Sequence, residues 1–227
     1  MMKTYIKICG ITTIDDARIV EDAGADYIGI IVDIAGSPRS VTVKQAARLR
    51  AACLLPVIIL ADMPPEPLRA AISAISPDGV QLIGFYTEHA LRDIRRTTPC
   101  SLWHTLPIPP MGVAADITEL HETLVTYSRT GVDVVVCDTS ISGKKGGTGI
   151  TANWDVVKNL VGTRTLPIFL AGGITPDNVV EAMHRVRPCG IDVSSGVEQA
   201  PGVKDVRKTK RLIAAVRNYE AQTAGVH

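Results

Sequence analysis

The sequence predicts one (β/α)8 barrel spanning residues 1–227. Three observations predict it. Short apolar runs alternate with amphipathic segments from end to end, giving eight βα pairs in 227 residues, slightly below the ~250 residues usual for such barrels. Several runs are continuously apolar, notably Val57-Ile58-Ile59-Leu60 and Val134-Val135-Val136, as strands buried on both faces of a parallel sheet require. The turn after the first run, Cys9-Gly10-Ile11-Thr12, lacks the GxGxxG that an open doubly wound sheet, the rival architecture, normally carries there.

In chain order the expected strands are Tyr5–Cys9, Asp26–Val32, Val57–Ala61, Gly79–Leu82, Ser101–Thr105, Val132–Cys137, Pro167–Ala171 and Gly190–Val193. The expected helices are Thr13–Ala23, Val43–Cys53, Glu66–Ile75, Glu88–Arg96, Ala115–Arg129, Asn153–Leu160, Pro176–Val186 and Val203–Tyr219. Thr13 with Asp16 and Thr42 with Gln45 resemble capping boxes. Gly24 and Gly131 sit where helices should stop. Thr175 is the expected N-cap of the seventh helix, with Pro176 in its first turn. Val179, Ala182, Met183 and Val186 then form one apolar stripe. Met63-Pro64-Pro65 and Pro107-Ile108-Pro109-Pro110 read as loops.

Composition excludes several function classes. Lys plus Arg is 24 and Asp plus Glu 23, a net charge of +1. So balanced a chain has no strong pull on nucleic acid or anionic membranes. At 4% aromatic residues it is a poor stacking platform for single strands. No apolar run reaches the ~18 residues of a membrane span. The start, Met1 to Ile8, has no signal-peptide layout and leads into a strand-like run. Cysteines at 9, 53, 100, 137 and 189 form no CxxC, and the five histidines form no HExxH. Neither a disulfide framework nor a metal site is expected, and reduced thiols point to the cytoplasm. The loops expected on the N-terminal face look short, which favours a monomer over a homodimer.

In a barrel the active site lies at the C-terminal ends of the strands. There the sequence places Cys9, then Ser37-Pro38-Arg39, then Cys137-Asp138-Thr139, then Gly172-Gly173, and last Ser194-Ser195-Gly196. The last two turns suit a phosphate: glycines let backbone N–H groups approach an anion, and the serines add hydroxyl donors. The bland reading is a pair of tight turns. Cys9 is a base or nucleophile if its pKa is lowered, and otherwise a packing thiol. Asp138, following an apolar run, suits a general acid whose pKa desolvation raises, or else a capping residue. Arg39 could clamp a carboxylate, or lie on the surface. The glycine-rich stretch from Ser142 to Gly149 reads as a loop that folds over substrate or as a solvated linker. The basic residues Lys204, Arg207, Lys208, Lys210 and Arg211 read as the solvated face of the last helix.

These same segments resemble the phosphoribosylanthranilate isomerase family. Lys7-Ile8-Cys9-Gly10-Ile11-Thr12 is similar to its KICG-I/L-T opening, and Gly24-Ala25-Asp26-Tyr27-Ile28-Gly29 to its GAD-x-x-G. Ser37-Pro38-Arg39 is similar to its SPR loop. Val136-Cys137-Asp138-Thr139 with Gly146-Gly147-Thr148-Gly149 resembles LLDT…GGTG. The stretch from Leu170 to Val179 resembles LAGGLTPENV, and that from Ile191 to Glu198 resembles VDVSSGVE. The resemblance implies a cofactor-free and metal-free isomerase of tryptophan biosynthesis acting on a phosphosugar, N-(5-phosphoribosyl)anthranilate. It implies Cys9 as general base and Asp138 as general acid. It implies Arg39, Gly172, Gly173, Asp192, Ser194, Ser195 and Gly196 as substrate-binding residues. The departures lie on the anthranilate side of the barrel: the family often has GFVF where this chain reads Gly29-Ile30-Ile31-Val32-Asp33 with a loop to Arg39 one residue longer, VFVN where it reads Ile59-Leu60-Ala61-Asp62, and VQLHG where it reads Val80-Gln81-Leu82-Ile83-Gly84. The alternatives are an isomerase of another 1-aminosugar phosphate and a non-catalytic barrel that binds a phosphometabolite.

Overall fold

The computed structural model describes residues 3–139 and 151–224. The Ser142–Gly149 stretch, with its GGTG resemblance, lies outside them. The chain runs β1 (Tyr5–Ile8), α1 (Ile14–Ala23), β2 (Tyr27–Val32), β3 (Ser40–Val41), α2 (Val43–Ala52), β4 (Val57–Ala61), α3 (Pro65–Ile75), β5 (Gly79–Leu82) and α4 (Glu88–Thr97). It continues β6 (Ser101–Ile108), α5 (Ile117–Thr130), β7 (Val134–Thr139), α6 (Trp154–Gly162), β8 (Ile168–Leu170), α7 (Val179–Val186) and β9 (Gly190–Val193). A hairpin, β10 (Glu198–Ala200) and β11 (Val203–Lys204), precedes α8 (Val206–Ala224).

Strands β1, β2 and β4–β9 pair in parallel, and the β1–β2 and β1–β9 pairings close them into an eight-stranded barrel. The short β3 adds to the edge of β2. Helices cover the outside, as parallel strands require. Ile6, Ile8, Ile28, Ile30, Val57 and Ile59 face them and are fully buried. Local chemistry sets the helix ends. Thr42 and Gln45 form a complete capping box, whereas Thr13 alone caps the backbone at Asp16. Gly24 and Gly131 end their helices in the left-handed conformation.

Three expectations are corrected. Pro107 and Ile108 belong to β6, not to a loop. β5 ends at Leu82, opposite His104, so beyond that point β6 pairs only with β7 and tolerates a proline. Helix α7 starts at Val179, with Asn178 rather than Thr175 at its N-cap. The Asn178 side chain instead ties down the preceding turn, accepting from the Thr175 N–H at 2.8 Å and donating to the Gly173 carbonyl at 2.8 Å. Finally, Val203 and Lys204 form a strand, and Lys204 is fully buried rather than solvated, because Glu198 pairs with it. Arg207, Lys208, Lys210 and Arg211 are exposed.

Candidate active site

The barrel interior is filled in layers. At the N-terminal end Tyr27, Trp103 and Phe169 meet in tilted and edge-to-face contacts with centroids 4.8–6.2 Å apart, backed by Ile58 and Val136. Above them lies a polar layer. Lys7 Nζ donates to Asp192 Oδ2 at 2.7 Å and to Gln81 Oε1 at 3.0 Å, and Gln81 donates on to Thr105 Oγ1 at 2.9 Å. β1 and β5 are not neighbours, so the Lys7–Gln81 bond crosses the barrel lumen. Burial alone would lower the Lys7 pKa, but the Asp192 carboxylate outweighs it and the ammonium is held charged.

Cys9 and Asp138 stand at this layer's upper edge, at the ends of β1 and β7. Cys9 is buried and packs with Ile34 and Leu60, with Ile31 and Ile83 adjoining. Burial pushes its thiol up to about 11, despite the lowering influence of Lys7 and Lys204. The lowered pKa that a resting thiolate needs is therefore not found, because aliphatic walls dominate and Lys7 is committed to Asp192. Asp138 behaves as expected. Burial first, then the charge of Asp192, raises it to about 6, against a hydrogen bond from the Thr139 N–H at 2.8 Å and the attraction of Lys7.

The turns after β8 and β9 sit side by side. Gly172 has φ +84°, and a Cβ there would collide with Thr139 Oγ1, so only glycine lets this turn lie against the end of β7. A Cβ at Gly196 would strike the Ile174 carbonyl, so the two turns pack backbone to backbone. Gly173 also has positive φ, at +65°. Because the Gly173 carbonyl turns back to Asn178, the trans peptide aims the Ile174 N–H the opposite way. Ser194 Oγ and Asp192 Oδ1 are buried with no hydrogen-bond partner among the described residues. Such orphaned atoms fit a ligand's polar groups. Ser195 opens a short 3-10 turn with Gly196.

Arg39 is neither a surface residue nor wholly free. It is 8% exposed, and its Nε and Nη2 engage Glu198 Oε1 and Oε2 at 2.9 and 2.6 Å. This leaves the Nη1–Nη2 edge, with three N–H donors, for a second carboxylate.

The structure thus gathers Cys9, Asp138, Asp192, Ser194–Gly196 and Gly172–Gly173 at one end of the barrel, with Arg39 beside β1. Sequence reasoning gave no role to Lys7, Gln81, Glu198 or Lys204. Lys7 and Gln81 carried a usable signal: each is the lone polar residue in an apolar run, two residues from Cys9 or from Ile83 along the strand. Glu198 and Lys204 carried none, since the partner Arg39 lies 159 residues from Glu198.

Residues 6–215 match the family model for N-(5'-phosphoribosyl)anthranilate (PRA) isomerase. The N-(5'-phosphoribosyl)anthranilate isomerase of Methanocella arvoryzae is 37% identical over 219 residues, covering 94% of this chain and 98% of that one. Among solved structures, the phosphoribosyl anthranilate isomerase from Thermococcus kodakaraensis superposes with a TM-score of 0.78 at 32% identity, over 95% of this chain and 99% of that one. A phosphoribosyl anthranilate isomerase in complex with reduced 1-(o-carboxyphenylamino)-1-deoxyribulose 5-phosphate gives a TM-score of 0.76 at 25% identity, with the same two coverages. With its closed barrel and with sequence matches that run nearly end to end, this chain belongs to the N-(5'-phosphoribosyl)anthranilate isomerase family.

Proposed function

We propose that the protein isomerises N-(5-phosphoribosyl)anthranilate to 1-(2-carboxyphenylamino)-1-deoxyribulose 5-phosphate, an Amadori rearrangement in tryptophan biosynthesis. The observation that carries this reading is the pair Cys9 and Asp138, ending β1 and β7 on the same face with the Lys7–Asp192 pair beneath them. Its family membership supplies the reaction. The bound product analogue in a related enzyme supports the phosphosugar class.

The chemistry follows from the groups. Asp138, raised to about 6, still holds a proton in part of the molecules near neutral pH. It donates that proton to the furanose ring oxygen, and the ring opens to a Schiff base. The Schiff base acidifies the sugar C2 proton. Cys9 rests as a thiol, so its own proton passes to the Asp138 carboxylate left by ring opening, and the thiolate takes the C2 proton. The cationic iminium beside it favours the thiolate at the step that needs it, together with Lys7 and Lys204. C1 then gains a proton from Asp138, and the 2-hydroxyl returns one to it, giving the ketone and restoring the starting protonation. Each positioned proton transfer contributes roughly 10²–10⁴ in rate.

Binding is shared among the remaining residues. The Gly172-Gly173 and Ser194-Ser195-Gly196 turns hold the phosphate, through backbone N–H groups and the Ser194 hydroxyl. Asp192 Oδ1 accepts from a substrate O–H or N–H. The open edge of Arg39 takes the anthranilate carboxylate. Ile31, Ile34, Leu60 and Ile83 offer an aliphatic wall beside Cys9, which suits an aryl ring better than a purely polar aminosugar. The proposal also takes in a cytoplasmic location, in keeping with five free thiols, and a monomeric state, which rests on the short loops of the N-terminal face.

The test is loss of anthranilate fluorescence when purified protein meets freshly made substrate without added metal or cofactor. Folded protein that gives no turnover overturns the proposal.

A further inference from the structure

We propose that Glu198 is a positioning residue for this reaction: its buried carboxylate fixes which edge of the Arg39 guanidinium is left for a ligand and, through Lys204, ties that edge to the backbone of Cys9. This inference rests on the proposed isomerase reading.

Glu198 is the hub of a buried cluster. It accepts from Arg39 Nε and Nη2, from Lys204 Nζ at 2.8 Å and from the Gly202 N–H at 3.3 Å. Lys204 Nζ, with no exposure, also donates to the Cys9 carbonyl at 2.6 Å. Cys9 is fixed from its other side by its own N–H, which donates to the Val193 carbonyl at 2.8 Å. The hairpin that carries Glu198 and Lys204 is anchored in turn. The Lys204 N–H donates to Asp16 Oδ1 at 2.9 Å, and Thr12 Oγ1 donates to the Gly202 carbonyl at 2.7 Å. One carboxylate therefore sets the position of both the group assigned to the substrate carboxylate and the group assigned to the C2 proton.

Two physical arguments favour positioning over simple stability. Buried ion pairs seldom repay their desolvation, and apolar residues would hold the hairpin as well. One carboxylate, Glu198, is shared by two cations, Arg39 and Lys204, and the Asp16 carboxylate, which accepts from the Lys204 N–H, completes the buried network. An incoming carboxylate on the open Arg39 edge adds a partner to the guanidinium without displacing Glu198. Glu198 neutralises the guanidinium's side-on edge, so the ligand meets only the end-on edge, in one orientation.

The experiment compares two ligands by calorimetry: the reduced product analogue bearing the aryl carboxylate, and the same molecule without it. The ratio of their affinities measures the clamp. Arg39→Ala and Glu198→Gln are each expected to shrink that ratio by about tenfold. Glu198→Gln should leave affinity for the carboxylate-free analogue within about twofold of the original, and Glu198→Asp should restore part of the ratio. If Arg39→Ala leaves the ratio unchanged, the clamp assignment fails and this inference falls with it. If Arg39→Ala collapses the ratio while Glu198→Gln keeps it, positioning alone is overturned. Equal weakening of both ligands by Glu198→Gln would make its role structural and also overturn the proposal. Should Glu198→Gln not fold, Glu198→Asp asks the same question, since the shorter carboxylate cannot keep both bonds to Arg39; a reduced ratio supports the proposal and an unchanged ratio overturns it.

Discussion

The two ends of the barrel interior are filled by opposite chemistry. The N-terminal end is closed by Tyr27, Trp103, Phe169, Ile58 and Val136, with the Trp103 indole N–H satisfied by Ser101 Oγ at 2.9 Å. Nothing in that layer asks for a ligand. The C-terminal half holds Lys7, Gln81, Asp138 and Asp192 in the same lumen, and leaves Asp192 Oδ1 and Ser194 Oγ unsatisfied among the described residues. The first layer gains free energy on folding. The second keeps buried charges and those two unsatisfied polar atoms, which cost folding free energy. Division of a barrel into a stabilising bottom and a reactive top is the general pattern. Here it is drawn between residues two apart on one strand, Trp103 in the aromatic layer and Thr105 in the polar one.

The largest expected effect tests the top layer. On the acid and base roles proposed above, Cys9→Ala and Asp138→Asn should each lower kcat by ~10²–10⁴ with little change in KM. Steady-state fluorescence assays read this, and a change confined to KM at Cys9 would return it to a packing role.

Trp103→Ala tests the bottom layer. It should cost about 3–5 kcal/mol in urea unfolding, as large buried aromatics do, while kcat per folded molecule stays the same. An equal fall in kcat would mean that the two layers are not separable.

Asp138 gives a test with a sign. Its folded pKa, about 6, lies above the unfolded value near 3.8. Between those values the folded protein keeps a proton that the unfolded chain releases, so this group's contribution to stability falls as pH rises through that window. Asp138→Asn should therefore stabilise the protein by up to about 3 kcal/mol at pH 7–8, and by nothing below about pH 3. The same substitution that removes activity should raise resistance to urea at neutral pH. A gain independent of pH would point to packing instead.

The smallest effect is expected at Gln81. Gln81→Leu removes one of the Lys7 acceptors and the link to Thr105. It should cost about 1–3 kcal/mol, the usual penalty for a buried donor left short of a partner. Urea unfolding measures it, and no cost would mean that Asp192 alone suffices to hold the ammonium.

Much of this was legible in the sequence. Continuous apolar runs fix buried parallel strands, and helix ends follow from Thr42, Gly24 and Gly131, because caps and left-handed turns depend on residues a few positions apart. The positions of Cys9, Asp138 and the two glycine or serine turns followed from the rule that strand C-termini converge. Tertiary structure alone decided the rest. The raised Cys9 pKa needs the aliphatic wall of Ile34 and Leu60, from other units of the barrel. The boundary of α7 shifted because the Asn178 side chain ties down the turn from Gly173 to Thr175 rather than leaving Thr175 to cap a helix. Lys204 looked like one more cation on a basic helix, and became a buried ion-pair partner only when the hairpin folded under Cys9. Propensity and periodicity are sums over near neighbours, and the sequence holds them directly. The electrostatics of a buried group depend on which distant residues exclude water from it and which charge is left facing it, and only the closed barrel determines that.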